Sequence, residues 1–185
     1  MDLFSEIEKR RAANAKKLAG FGVSAAATIG GVVKVVREGA SVTIFTVGYE
    51  RRDGEGLMSV LRDQGIKAIA DIRERPTSRR PDFRAAALHV LCEAAGIEYQ
   101  LWTALGSTVE QRDELQVSGD FRSFANRFRE HALRTMQPDL ARLAESVKLT
   151  STALLCYERL HEDCHRSVIA ELLAETLNAT VIAIQ

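Results

Sequence analysis

Two thiols, a carboxylate, an imidazole and a guanidinium gather in one short stretch of this chain. Cys156 and Glu158 close the apolar run "STALLCY", and Cys164, His165 and Arg166 come after a polar loop. Cys156 and Glu158 alternate along an extended run, so their side chains share a face. Cys164 and His165 stand just before a helical pattern. A thiol there feels the positive end of the helix and the neighbouring cations, which lowers its pKa and makes it a nucleophile. Glu158 and His165 are the candidate proton carriers beside it. A zinc site is the rival chemistry, with Cys156, Cys164 and His165 as soft ligands. The spacing matches no common zinc motif, and the adjacent Cys164 and His165 are not expected to bind one ion together with standard geometry, so no metal is assigned. Cys156 alone is equally well read as a small core residue, and Cys92 sits on an apolar helical face.

A second group lies earlier. Asp71 and Arg73 leave the apolar run "IKAIADI", and Pro76 stiffens a loop that carries Ser78, Arg79 and Arg80. Guanidinium forks suit phosphate or carboxylate, and a helix start after the loop favours anions too. Arg73, Ser78, Arg79, His165 and Arg166 are therefore the candidate ligand-binding residues. Asp71 is read as a base or as the group that orients an arginine. The plain alternative is a solvated loop with surface ion pairs. Tyr49 and Glu50 end a third run, "VTIFTVGYE", and are expected to line the same cleft, although the Tyr49 ring is equally suited to packing. Trp102 is read as a stacking platform or a core residue. His89 and His131 fall on helices without clear partners.

The elements that must hold these residues alternate. Residues 42–47, 66–72, 97–102, 151–157 and 180–184 read as strands. The segments from 56 to 64, from 83 to 95, from 121 to 133, from 138 to 147 and from 166 to 177 read as helices, with Gly65 and Gly96 as stops. Phe121, Phe124, Phe128 and Leu133 form the expected stripe of the third helix. Alternation with near-continuous apolar strands predicts an α/β fold: a three-layer, mostly parallel open sheet of Rossmann-like type flanked by helices. In such sheets ligands bind beyond the carboxyl ends of the strands. All three polar groups fall there. Residues 1–40 read as an N-terminal helical extension, with Ser5 and Glu8 as a capping box, and residues 41–185 as a single α/β domain.

The bulk properties are ordinary. The 185 residues carry 25 basic and 25 acidic side chains and are 46% hydrophobic. Nothing global marks a nucleic-acid or membrane binder. Three unpaired-looking cysteines and a charged start without a secretory pattern predict a reducing, cytoplasmic setting.

The motifs "TVGYE", "DIRERPTSR", "GIEY", the Leu105–Gly106 pair, "LLCYE" and "CHR" occur in an order that resembles the domain of unknown function 488 family, over roughly residues 43–175. The resemblance implies a fold and a shared site but no reaction and no cofactor. The leading expectation is an enzyme or ligand-binding domain for a phosphorylated or anionic small molecule such as a nucleotide. Its catalytic set is Cys164, Cys156, Glu158 and Asp71. The alternatives are a nucleic-acid-associated protein, with Arg122, Arg127, Arg129 and Arg134 on one helix, and a non-catalytic domain with a structural polar cluster. A homodimer through the N-terminal arm is compatible with the pattern.

Overall fold

The structure, a computed structural model, describes residues 25–29, 32–37 and 39–185. Its strands are β1 (Ala25–Ile29), β2 (Val32–Val36), β3 (Thr43–Gly48), β4 (Ala68–Asp71), β5 (Glu98–Leu101), β6 (Thr152–Cys156) and β7 (Thr180–Ile184). The α-helices are α1 (Gly54–Asp63), α2 (Ala85–Ala94), α3 (Val109–Ser118), α4 (Phe121–Thr135), α5 (Gln137–Leu149) and α6 (His165–Leu177). The strands form one sheet in the order β1-β2-β7-β3-β6-β4-β5. The five strands from β7 to β5 run parallel, and β1 and β2 join antiparallel beside β7.

The parallel strands are apolar because both faces are covered. On one face Phe124, Phe128, Leu143 and Ile169 of α4, α5 and α6 pack with Ile44 and Leu154. On the other, Leu57 and Leu61 of α1 and Leu88 of α2 pack with Val47, Ile69 and Leu155. Every residue of β4 and β6 is buried. This is the expected three-layer architecture. Gly65 and Gly96 end α1 and α2 in left-handed conformations, φ 66° and 68°, which only glycine adopts without cost. Among the described residues no helix is long and apolar enough to cross a membrane.

Three expectations need correction. Within the N-terminal extension, residues 25–29 and 32–36 are strands, not helix, because their backbone completes the sheet edge beside β7. The capping box at Ser5 and Glu8 lies outside the described residues. On α4 the inward stripe is Phe124, Phe128 and Ala132, while Leu133 is 45% exposed: one residue further turns the side chain about 100° out of the stripe. Residues 109–118, to which the sequence pattern assigns no strand or helix, are helical. No residue of α3 is buried, so it carries no apolar stripe to read. It is set by a capping box in which Thr108 Oγ1 accepts from Gln111 N and Gln111 Oε1 accepts from Thr108 N. Thr108→Ala is expected to cost about 1 kcal/mol in urea denaturation, and an unchanged midpoint would contradict that role.

Candidate active site

Asp71 and Arg73 meet at the carboxyl end of β4, both buried, with side-chain exposure of 0% and 6%. Arg73 Nε and Nη2 donate to the two Asp71 oxygens at 2.8 and 2.5 Å. Arg73 Nη1 donates to Tyr49 Oη and to the Phe83 carbonyl, at 3.0 and 2.8 Å. Tyr99 Oη donates to Asp71 Oδ2 at 2.6 Å. Burial would lower the Arg73 pKa, but the Asp71 carboxylate outweighs it and the net direction is upward. Tyr99 is raised by burial and by the same carboxylate. Burial and the charge of Asp71 push the Cys92 thiol up to about 12, which makes it inert in the core.

These contacts reassign several expected site residues. Arg73 has its fork filled by protein groups, so it is a brace rather than an anion holder, and Asp71 is its counter-charge rather than a base. The Tyr49 ring stacks on Phe83 at 4.3 Å between centroids and belongs to the same brace. Ser78 Oγ accepts from Arg80 N and shapes the loop. Trp102 carries the Arg142 guanidinium 5.3 Å above its ring, so that face is covered by protein rather than offered to a planar ligand.

The cysteine cluster forms where β6 ends and α6 begins. His165 Nε2 lies 3.1 Å from the Ile72 carbonyl, which can only accept, so the proton is fixed on Nε2 and the lone pair of the neutral ring on Nδ1. Around Nδ1 stand Ser107 Oγ at 3.5 Å, Cys156 Sγ at 3.6 Å and Cys164 Sγ at 3.9 Å. Glu158 Oε2 accepts from Cys156 Sγ at 3.2 Å. Phe128 of α4 sets its ring edge against the imidazole, 5.5 Å between centroids. Adjacent in sequence, Cys164 and His165 were not expected to share one ion, yet the donor atoms of Cys156, Cys164 and His165 all lie within 4.8 Å of one another.

The protonation of the metal-free cluster is shared. Burial would raise the Cys164 thiol, but the Cys156 thiol, Arg166 and His165 outweigh it and hold Cys164 low. Cys156 is raised by its hydrogen bond with Cys164 and by burial, so it keeps the proton. Burial opposes a charged His165, yet the Cys164 thiolate and Glu158 raise its pKa. Burial first, then the Cys164 charge, pushes Glu158 up to about 7.

The loop that carries Glu158 is held by its backbone. Arg166, fully buried, donates from Nη1 and Nη2 to the Glu158 and Arg159 carbonyls. Those two nitrogens position the loop, while its Nε is buried without a hydrogen-bond partner. Gly48, the glycine of "TVGYE", is needed because a Cβ there would sit 1.9 Å from the Glu158 carbonyl oxygen. Glu50 Oε2 accepts from Arg159 N at 2.9 Å and pins the far end. Ser107 and the Ile72 carbonyl were not in the expected set. The only sequence signal for Ser107 is Gly106 before it, where a Cβ would strike Glu74 N at 2.1 Å.

The loops after β3 and β4 carry further arginines. Arg79 is exposed and Arg52 half-buried. Arg80 sits 4.7 Å over the Phe83 ring and donates to the Tyr49 and Arg52 carbonyls. Arg52 Nε is buried without a hydrogen-bond partner, and burial together with the nearby positive charge of Arg159 lowers its pKa. Sequence reasoning missed Arg52, which looks like any charged residue after a strand.

His161 joins the site from below. Its Nδ1 lies 2.9 Å from Thr46 Oγ1 of β3. Burial, and then the charge of Arg166, push its pKa down to about 3, with the Cys164 thiolate opposing. Below the unfolded value of about 6.5 the unfolded chain binds a proton that the folded one refuses. The stability from neutral His161 is therefore whole above pH 6.5 and is lost as pH falls toward 3. The ring is not fully out of water, so the total is on the order of 2 kcal/mol. His161→Asn is expected to flatten the pH–stability profile in this window; parallel profiles for the two proteins would refute it.

A parallel sheet covered on both faces, with polar clusters at the carboxyl ends of the adjacent strands β3, β6 and β4, defines a three-layer α/β protein of Rossmann-like architecture. Within that class, the family model described as Domain of unknown function DUF488 matches residues 54–173, and the chain belongs to that family. No curated protein and no solved structure matches the chain significantly.

Proposed function

We propose that this protein is an enzyme acting on an anionic small molecule, such as a nucleotide, at the carboxyl edge of β3, β6 and β4. The reacting groups come from Cys156, Glu158, Cys164 and His165, and the arginines of the loops after β3 and β4 meet the anion. The observation that carries this reading is Arg52. A buried guanidinium nitrogen without a partner, beside the second cation Arg159 and in the loop after β3, is the setting that an incoming phosphate or carboxylate would complete. Arg79 stands exposed on the same side of the sheet, on the loop after β4.

The nucleic-acid reading has weaker support. Of the four arginines on α4, Arg127 pairs with Glu114 at 3.3 Å and Arg129 with Glu175 at 2.5 Å, which breaks up the basic face.

Calorimetric titration with pyrophosphate and with ADP tests the proposal. Saturable binding is expected, weakened roughly tenfold or more by Arg52→Gln, in line with loss of one charge-assisted contact. Heats that never saturate, or equal affinity in Arg52→Gln and Arg159→Gln, would sink it.

A further inference from the structure

We infer that Cys156, Cys164 and His165 form a binding site for one soft divalent cation, zinc above all, with three protein ligands and a fourth position open beside Glu158. This deepens the enzyme reading and rests on it for the use of the open position, but the site itself stands on geometry.

The donor spacing fits. Zinc–sulfur bonds of about 2.3 Å and zinc–nitrogen bonds of about 2.0 Å in a tetrahedron separate the donors by roughly 3.5–3.8 Å. The two sulfurs stand 3.6 and 3.9 Å from His165 Nδ1, and all three donors lie within 4.8 Å of one another. Cys164 caps the positive end of α6 and His165 is its first residue.

The outer contacts fit as well. A ligating histidine commonly donates its other ring N–H to a carbonyl or carboxylate, which fixes the ring and the tautomer. His165 Nε2 does this to the Ile72 carbonyl at 3.1 Å, and the nitrogen left free is the one that faces the thiols. Phe128 closes one side of the ring. Arg166 and Gly48 set the backbone of the Glu158 loop beside it.

The charge balances. Two thiols and a neutral imidazole take up one divalent cation and release two protons, which leaves the coordinated centre neutral. Three protein ligands with one position left over is the count of a catalytic zinc rather than a structural one. A water or a substrate oxygen in that position would lie near Glu158, whose carboxylate already touches Cys156 Sγ at 3.2 Å and is placed to carry a proton.

The test uses the full chain, freed of metal with a chelator and titrated with cobalt(II). One equivalent is expected to give a thiolate-to-cobalt charge-transfer band and the intense visible bands of a tetrahedral site, both removed by one equivalent of zinc. Cys156→Ser and Cys164→Ser are each expected to lose affinity by about a hundredfold or more, since even outer-shell changes cost 10–100-fold. Cys92→Ser, outside the site, is expected to bind as the parent does. Ile72 lends only its backbone, so the conservative His165→Gln, checked for folding by circular dichroism, keeps the experiment decisive if a cysteine variant misfolds. Absence of the charge-transfer band in folded parent protein, or equal affinity in the cysteine and glutamine variants, would overturn the metal site. The two readings fail separately. A protein that binds ADP through Arg52 but no cobalt loses the metal and keeps the enzyme reading. A protein that binds cobalt through all three ligands but no anion keeps the metal and loses the proposed substrate class.

Discussion

Replacing Asp71 by alanine is expected to destabilise the protein by about 3–5 kcal/mol, because it strands a charged guanidinium in the interior. Arg73 makes five contacts in the structure: two to the Asp71 oxygens from its side chain, one from its own backbone N, and one each to Tyr49 Oη and the Phe83 carbonyl. Removing the carboxylate also leaves Tyr99 Oη without its acceptor. The effect therefore reaches β3, β5 and the loop before α2 at once. Asp71→Asn/Arg73→Met removes both charges together and is expected to recover most of the loss, since a buried pair contributes little against an apolar replacement while a broken pair costs a great deal. Urea denaturation of the two single variants and the double variant measures this. A loss below about 1 kcal/mol in Asp71→Ala would show that the guanidinium escapes to water, and the brace would have to be abandoned.

Gly48→Ala is the second large effect. The added methyl would lie 1.9 Å from the Glu158 carbonyl oxygen and 2.6 Å from its carbon. Neither neighbour is the end of a flexible side chain. The backbone of residues 157–159 must move, and Arg166 must release the carbonyls it holds. A cost of about 3 kcal/mol is expected, at the upper end of ordinary overpacking. Gly65→Ala is the control. It has φ 66° and nothing within 4 Å of the new methyl, so only backbone strain of about 1 kcal/mol applies. Cobalt binding separates the two further: Gly65→Ala is expected to keep the parent spectrum and Gly48→Ala to lose it. If both variants were equally stable and bound cobalt alike, the close approach of β3 to the Glu158 loop would play no part in the site.

The parallel core was legible because burial on both faces writes itself as continuous apolar runs, and because Gly65 and Gly96 mark the helix ends. The hairpin of β1 and β2 was not. Its strand "AAATI" is rich in alanine, a weak strand former, and its other strand, β2, takes its second pairing from β7, far along the chain. Helix α3 was hidden for the opposite reason, since its stability comes from a cap and not from a face. In the candidate site, residue type and the strand-end rule were enough to pick out Cys156, Glu158, Cys164 and His165. What they could not show was direction. Whether Arg73 and Arg166 reach outward to a ligand or inward to protein acceptors depends on which carbonyls pass near them. The same holds for Cys164 and His165, whose donors converge because extended backbone at Cys164 turns into the first residue of a helix. Partners drawn from other loops, such as Ser107, the Ile72 carbonyl and Arg52, carry no local signature.

The strand order also governs when this sheet can assemble. β3 and β4 are made early, yet they are not neighbours; β6 lies between them and pairs with both. β7, latest in chain order, stands between β2 and β3 and, among the described residues, bridges the hairpin to the parallel strands. On the ribosome, the apolar faces of β3 and β4 therefore wait unpaired until residues beyond 150 emerge, and the hairpin waits longer still. Such non-local pairing makes for slow folding and a long exposure of sticky segments. The nascent chain is thus a natural client for chaperones that shield unpaired strands, and a chain cut before residue 180 would leave β2 and β3 as open edges prone to aggregation.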